Sequence, residues 1–289
     1  MGRLIRCITS DGLVTAVGVD TTDIVNEAEK YHKTSAVVSA ALGRLLTAAS
    51  MMGCTLKGKD HSVTVRVNGD GPIGSLLAAS DSDGNVRGYA ANPVVELPLN
   101  SKGKLDVGKA VGKGYLHVSK DLSMNMPYNG AVELVSGEIA EDIAYYYGNS
   151  EQVPTVCALG VLVNPDLTIK AAGGFLIQLL PAAGEDTIEQ IEKDMENLPS
   201  VTQMMTEGLS VDDMIKRALA SFEVELLQEG NVSYKCNCSK SRVEKALISI
   251  GKKDLAKLAS EQKETEICCQ FCDKVYKFSD NDLIKLITK

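Results

Sequence analysis

Apolar and polar positions alternate weakly over residues 3–20. Leu4, Ile5 and Cys7 precede Asp11-Gly12, and Val14, Ala16, Val17 and Val19 follow it, which predicts a β-hairpin. The period then lengthens. Thr21 to His32 reads as a short amphipathic helix. Residues 34–53 read as a long one, with Thr34 or Ser35 to cap it and Gly53 to end it. Small residues run along this second helix, so a neighbour can approach closely. Period-two alternation returns from Ser62 to Val67 and meets a turn at 68–72. Asp83-Gly84 predicts a tight hairpin turn and Tyr128-Asn129-Gly130 another. Ser136-Gly137-Glu138 leads a helix ending near Tyr147-Gly148. Residues 156–163 are a continuous apolar strand containing Cys157, and the chain returns over 169–180 through Gly173-Gly174. Strand pairs with interleaved helices predict one mixed α/β core domain over residues 1–181.

Pro181-Ala182-Ala183-Gly184 marks a boundary. Residues 182–233 then carry helical patterning. Asp186 to Leu198 is one helix, and Ser210 caps another with Asp213 at the third position. The second has an apolar face of Val211, Met214, Ile215, Leu219, Phe222 and Leu226, preceded by Met204 and Met205. Methionine adapts to irregular surfaces. At rest such a stripe covers core; detached, it becomes an adhesive surface for unfolded chains.

The tail, residues 234–289, holds the densest chemistry. It carries Cys236-Asn237-Cys238 and Cys269-Gln270-Phe271-Cys272, and five of the eight cysteines lie from Cys236 onward. Two close pairs separated by a foldable stretch suit a tetrahedral zinc ion, one per chain. Soft thiolates also take copper(I) or iron–sulfur, although the ferredoxin spacings are absent. A disulfide cluster is the non-metal alternative. Cys268, adjacent to Cys269, leaves a Cys268/Cys272 chelate open. One residue between Cys236 and Cys238 makes a tight chelate and, once oxidised, a small strained ring of the labile kind. Lys235, Lys240, Arg242, Lys274 and Lys277 favour thiolates. Ser241 to Glu244 reads as a capping box opening a helix whose apolar face is Val243, Ala246, Leu247 and Ile250. Val275 to Phe278 reads as a strand, and Ser279 caps a last helix with Leu283, Ile284 and Ile287. So short a tail buries little core, so a metal is expected to complete its fold. The fold class is therefore α+β, a mixed core with a helical linker and a small C-terminal zinc-binding domain.

Composition narrows the partners. Hydrophobic residues make up 44% and charged residues 24% of the 289, and there is no tryptophan. The net charge of −8 is uneven: −3 over 1–181, −9 over 182–233 and +4 over 234–289. The acidic linker and basic tail attract, and the acidic bulk argues against nucleic acid as a partner. The longest apolar run, Ala36 to Gly53, contains Arg44, and no targeting segment or membrane span is expected. With the cysteine pattern this predicts a reducing cytoplasm.

Candidate catalytic motifs are weak. Asp81-Ser82-Asp83-Gly84-Asn85 lacks the glycine and glutamate of a calcium loop. Residues 111–118 lack the phosphate-loop pattern, and His32, His61 and His117 form no metal motif. No enzyme is expected.

The paired cysteines resemble those of the redox-regulated holdase chaperones, the 33-kDa heat-shock protein family of bacteria. Residues 32–53, 66–72, 88–90 and 171–178 extend the likeness along essentially the whole chain. The resemblance implies zinc on Cys236, Cys238, Cys269 and Cys272 in the reduced, inactive form. It implies that oxidation forms Cys236–Cys238 and Cys269–Cys272 disulfides, releases zinc and activates the chaperone, with a homodimer as the active state. Unfolding clients under oxidative or heat stress are the implied partners. The residues themselves leave two rivals, a thiol–disulfide oxidoreductase and a constitutive zinc-ribbon adaptor.

Overall fold

The computed structural model of the chain describes residues 1–287, which divide into two compact units, residues 1–235 and 236–287. In the first unit, β1 (Gly2–Thr9) and β2 (Val14–Asp20) form the expected hairpin. Helices α1 (Thr22–His32) and α2 (Ala36–Cys54) follow. A meander gives β3 (Ser62–Gly69), β4 (Ser75–Asp81) and β5 (Val86–Ala90). After a loop and the short α3 (Val107–Val111) come β6 (Gly114–Asp121) and β7 (Tyr128–Glu133). These five strands make an antiparallel sheet of order β5-β4-β3-β6-β7. Helix α4 (Ala140–Tyr146) runs into a π-helical turn, Tyr147–Glu151. Strands β8 (Thr155–Val163) and β9 (Ile169–Leu179), then helices α5 (Glu185–Glu196), α6 (Val201–Thr206) and α7 (Val211–Ala218), lead to β10 (Val224–Val232). The other sheet has the order β10-β1-β2-β9-β8, again antiparallel.

Helix α2 explains the layering. Nearly all of its residues are buried, and it packs between the two sheets. By length and composition it is apolar enough to cross a membrane, but that apolar surface is the core of this unit. The strands β1, β2 and β9 are buried on both faces. Leu4, Val17, Val19, Ala172 and Leu176 face the α2 core, while Ile5, Cys7, Val14, Ala16, Phe175 and Ile177 face a second cluster under α5–α7. Strands buried on both sides read as continuous apolar runs, which is why the alternation over residues 3–20 is weak.

Three local expectations in this unit are corrected. Residues 224–232 of the linker form a strand, not helix: β1 offers an open backbone edge, and β10 satisfies it with a ladder from Gly2↔Val232 to Thr9↔Val224. Leu226 is therefore opposite Cys7 on that ladder and 53% exposed, off the stripe where helical spacing put it. Tyr128-Asn129-Gly130 is the start of β7, paired with β6, and no turn.

The second unit contains α8 (Lys240–Ser249), α9 (Lys252–Glu261), a hairpin of β11 (Glu264–Cys268) and β12 (Val275–Ser279), and α10 (Asp280–Ile287). Its helix cap is Ser239, whose Oγ accepts from the Arg242 amide, two residues earlier than the Ser241 expected. The core is small: Leu247, Leu255, Tyr276, Phe278, Leu283 and Leu286.

Candidate metal centre

Two chain segments bring four sulfurs together. Cys236 and Cys238 lie on the extended segment just before the Ser239 cap of α8. Cys269 and Cys272 lie on the turn between β11 and β12. That turn is tied by the Cys269 amide to the Lys274 carbonyl at 3.0 Å and by the Asp273 amide to the Cys269 carbonyl at 2.9 Å, with Asp273 left-handed at φ 54°. Backbone amides thus fold the turn around its two thiols.

The Sγ atoms of Cys236 and Cys269 are 3.7 Å apart, those of Cys238 and Cys272 3.6 Å, and all four lie within 4.8 Å of one another. A zinc–sulfur bond of about 2.3 Å places tetrahedral sulfurs roughly 3.8 Å apart, so the donor set and its spacing fit zinc. Cys268 is exposed and outside the cluster.

The electrostatics explain why a cation suits this cluster. Burial opposes ionisation of Cys238, but the phenol of Tyr276, donating to its Sγ at 3.0 Å, and the neighbouring thiols bring it down to about 7. Burial pushes Cys272 well up, and its bonded thiol neighbours push the same way. One thiol therefore ionises readily and further negative charge is resisted. A bound cation is what lets all four be thiolates together. The basic neighbours divide. Lys240 and Lys274 lie over the rings of Phe278 and Tyr276, whereas Lys277 pairs with Glu264 at 3.0 Å and Glu266 at 2.7 Å.

The stripe of the linker also has a definite place. Met204, Val211, Met214, Ile215 and Leu219 are buried against the outer face of the β1-β2-β9 sheet, and Met205 and Phe222 pack at its margin. Ser210 caps α7 and Asp213 closes the box, its carboxylate accepting from the Ser210 amide at 3.0 Å. Arg3 of β1 bridges Asp212 of α7 and, at 2.8 Å, Glu229 of β10.

Sequence reasoning missed Tyr276, Arg3 and the glycines beneath the linker. Tyr276 shares a strand face with Phe278, so its phenol was legible only as core. Nothing in the spacing marks Arg3, which meets its partners across more than two hundred residues. The Cys269/Cys272 pair sits on a hairpin turn, not at the helix N-terminus that thioredoxin-like chemistry uses.

Comparison with known proteins agrees with this architecture. The family model described as Hsp33 protein matches residues 2–279. A 33 kDa chaperonin of Lachnoclostridium phytofermentans is 46% identical over 286 residues, 99% of this chain and 98% of that one. One from Acetivibrio thermocellus is 44% identical over 284 residues, 98% and 96% of the two chains. The crystal structure of the 33 kDa chaperonin of Thermotoga maritima superposes with a TM-score of 0.89 at 37% identity, covering 99% and 97%. With both the sequence and the three-dimensional match running nearly end to end, the chain belongs to the Hsp33 family.

Proposed function

We propose that the chain is an ATP-independent holdase chaperone, held inactive while its four-cysteine cluster is reduced and switched on by oxidation. The name 33 kDa chaperonin carried by its relatives supports the chaperone reading. The observation that carries the switch is the sulfur cluster itself: four thiols at zinc spacing, closing a unit whose buried apolar core is six side chains.

Zinc, when bound, balances the thiolate charge and ties the segment before α8 to the β11–β12 turn. Cys236, Cys238, Cys269 and Cys272 are its proposed ligands. Oxidation removes the donors. Two thiolates of a pair become one disulfide and give up two electrons, which, with two protons taken from water, convert one hydrogen peroxide to two waters. Once the sulfurs no longer converge, Tyr276 and Phe278 lose the anchor that precedes them in the turn. So small a core does not hold alone, and the unit unfolds.

The linker responds next. β10 ends four residues before Cys236. Loss of the folded tail frees β10 to leave β1 and α5–α7 to leave the sheet. Met204, Met205, Val211, Met214, Ile215, Leu219 and Phe222 and the sheet face beneath them then offer apolar surface to unfolded clients. A cytoplasmic homodimer as the active form completes the reading.

The test is zinc release, read with a chromogenic chelator during peroxide treatment at mildly elevated temperature, beside light scattering from an aggregating client. About one zinc per chain leaving as protection appears, with reversal by dithiol, is expected. Protection without zinc loss, or zinc loss without protection, rejects the switch.

A further inference from the structure

β8 is an outer strand. It pairs with β9 on one side and with no strand on the other. A groove of about 630 Å³ runs along that other side and is bordered by the consecutive residues 159–163. Side chains alternate between faces along a strand. Five residues in a row therefore reach one groove only along the strand's backbone edge. One wall is α2, through Ala36, Ala40 and Arg44, one turn apart on a single helix face. The opposite wall is the start of α6, Val201 and Thr202, and Lys104 stands at the mouth.

The edge is unguarded. β8 reads TVCALGVLV, with no charge and no proline. Open edges usually carry such residues to prevent strand addition. Among the described residues, the backbone of 159–163 bonds only to β9.

The charge around the groove has one sign. Arg44 and Lys104 are the charged residues that line it. Arg44 bridges Glu138 through a terminal nitrogen, while its buried Nε has no acceptor. Lys104 is exposed and makes no ion pair among the described residues.

We propose that this edge is a docking slot for an extended aliphatic segment of an unfolded client, flanked by a carboxylate and taken up as an added strand on β8. The proposal deepens the holdase reading and rests on it. An extended segment has free backbone groups to match the edge, whereas a helix has none. Its aliphatic side chains meet Ala36 and Ala40 on one wall, and its carboxylate meets the exposed Lys104. Because α6 belongs to the linker, its departure removes one wall and lengthens the slot, so the same event that exposes the stripe admits the strand.

The probe is a fluorescein-labelled nonapeptide of alternating valine and threonine ending in two aspartates, titrated by anisotropy against the oxidised full-length protein. Two further peptides carry N-methyl groups on alternate residues, one series along each edge. Strand addition predicts that one methylated series binds like the parent and the other about tenfold more weakly, because only one edge faces β8. Lys104→Glu, at an exposed loop position, weakens binding several-fold at low salt and less at high salt. Leu162→Lys places a guarding charge on the edge and weakens it further. Equal affinities for both methylated series, together with no effect of Lys104→Glu, overturn the slot. If the oxidised protein protects an aggregating client under that result, the holdase reading stands without it. If oxidation brings no protection, that reading falls, and the methylated peptides decide the slot by themselves.

Discussion

Gly18 of β2 lies directly beneath Val211 of α7: a β-carbon on Gly18 would sit 2.5 Å from Val211 Cγ1 and 2.9 Å from Ile215 Cδ1. The contact is repeated nearby. A β-carbon on Gly160 would meet Val201 Cβ at 3.0 Å and Thr202 Cγ2 at 2.8 Å, and one on Gly173 would meet the Met205 sulfur at 3.1 Å. The sheet thus has three notches, and the linker helices are seated in them. Shape, as well as apolarity, fixes where the stripe rests.

Gly18→Val should lift α7 without touching a cysteine. Overpacking of this kind costs about 1–3 kcal/mol, and the exposed end of the chain segment gives way first. The reduced, zinc-loaded variant should bind an environment-sensitive apolar dye and be cut by protease between α6 and β10, while retaining its zinc. Dye binding and cleavage identical to the parent protein would show that the notch does not hold the helix.

Those glycines mark the limit of what the sequence disclosed. The cysteine spacing gave the four-thiol cluster because the members of each pair, one or two residues apart, have little freedom to be elsewhere. The Ser210/Asp213 box and the spacing of Val211, Met214 and Ile215 gave α7 because both are local. Leu226 misled because it falls at a helical interval from Leu219, yet the backbone needs of β1, more than two hundred residues away, decide its conformation. Gly18 and Tyr276 act through tertiary contacts that no local pattern records.

Removing proposed ligands should unfold one unit and spare the other. Cys269→Ser combined with Cys272→Ser deletes one half of the cluster, and structural zinc contributes on the order of 10–16 kcal/mol in zinc-finger peptides. Residues 236–287 should lose their dispersed amide resonances in heteronuclear NMR spectra. The β-sheet signals of Val63, Val65 and Val118, deep in the α2 core, should persist. A tail that stays folded without metal would mean that its six-residue core suffices.

Tyr276→Phe tests the phenol on Cys238. The ring stays, so the packing against Phe278 stays, and only the 3.0 Å hydrogen bond to Sγ is lost. Groups that hydrogen-bond a metal ligand typically alter affinity by about 10–100-fold. A bond to sulfur belongs at the lower end, so competition with a calibrated chelator should give about tenfold weaker zinc binding and unchanged α-helix content. Equal affinity would assign Tyr276 to packing alone.

Alkaline pH should act on the first unit through its buried thiols. Burial raises Cys54 and Cys157 from 9.0 to about 12. For a group raised on folding, the stabilisation is full below the unfolded value and is lost as pH climbs through the folded one. Between pH 9 and 12 each such thiol should therefore lower stability by up to about 1.4 kcal/mol per pH unit. Urea unfolding followed at the core should show this slope, and Cys157→Ala should reduce it. A slope that Cys157→Ala leaves unchanged would place the alkaline sensitivity elsewhere.

The order of the sulfurs bears on which disulfides form. Close contacts run between the pairs, Cys236 to Cys269 at 3.7 Å and Cys238 to Cys272 at 3.6 Å. A bond made in place would join the two segments and keep the unit closed, and the linker would not be released. Bonds within the pairs need the segments to part first. Once two thiolates are consumed, the metal is lost and the small core opens. Cysteines one or two residues apart then find each other far more often than cysteines more than thirty residues apart, because closure entropy rises with loop length. The exposed Cys268 thiol, adjacent to Cys269, can also exchange an early bond between segments. Non-reducing peptide mapping of the peroxide-treated protein should therefore find Cys236–Cys238 and Cys269–Cys272 as the final products. Bonds between segments should appear early and decay, and decay more slowly in Cys268→Ser. Bonds between segments as the final, active product would contradict unfolding of the tail as the step that releases the linker.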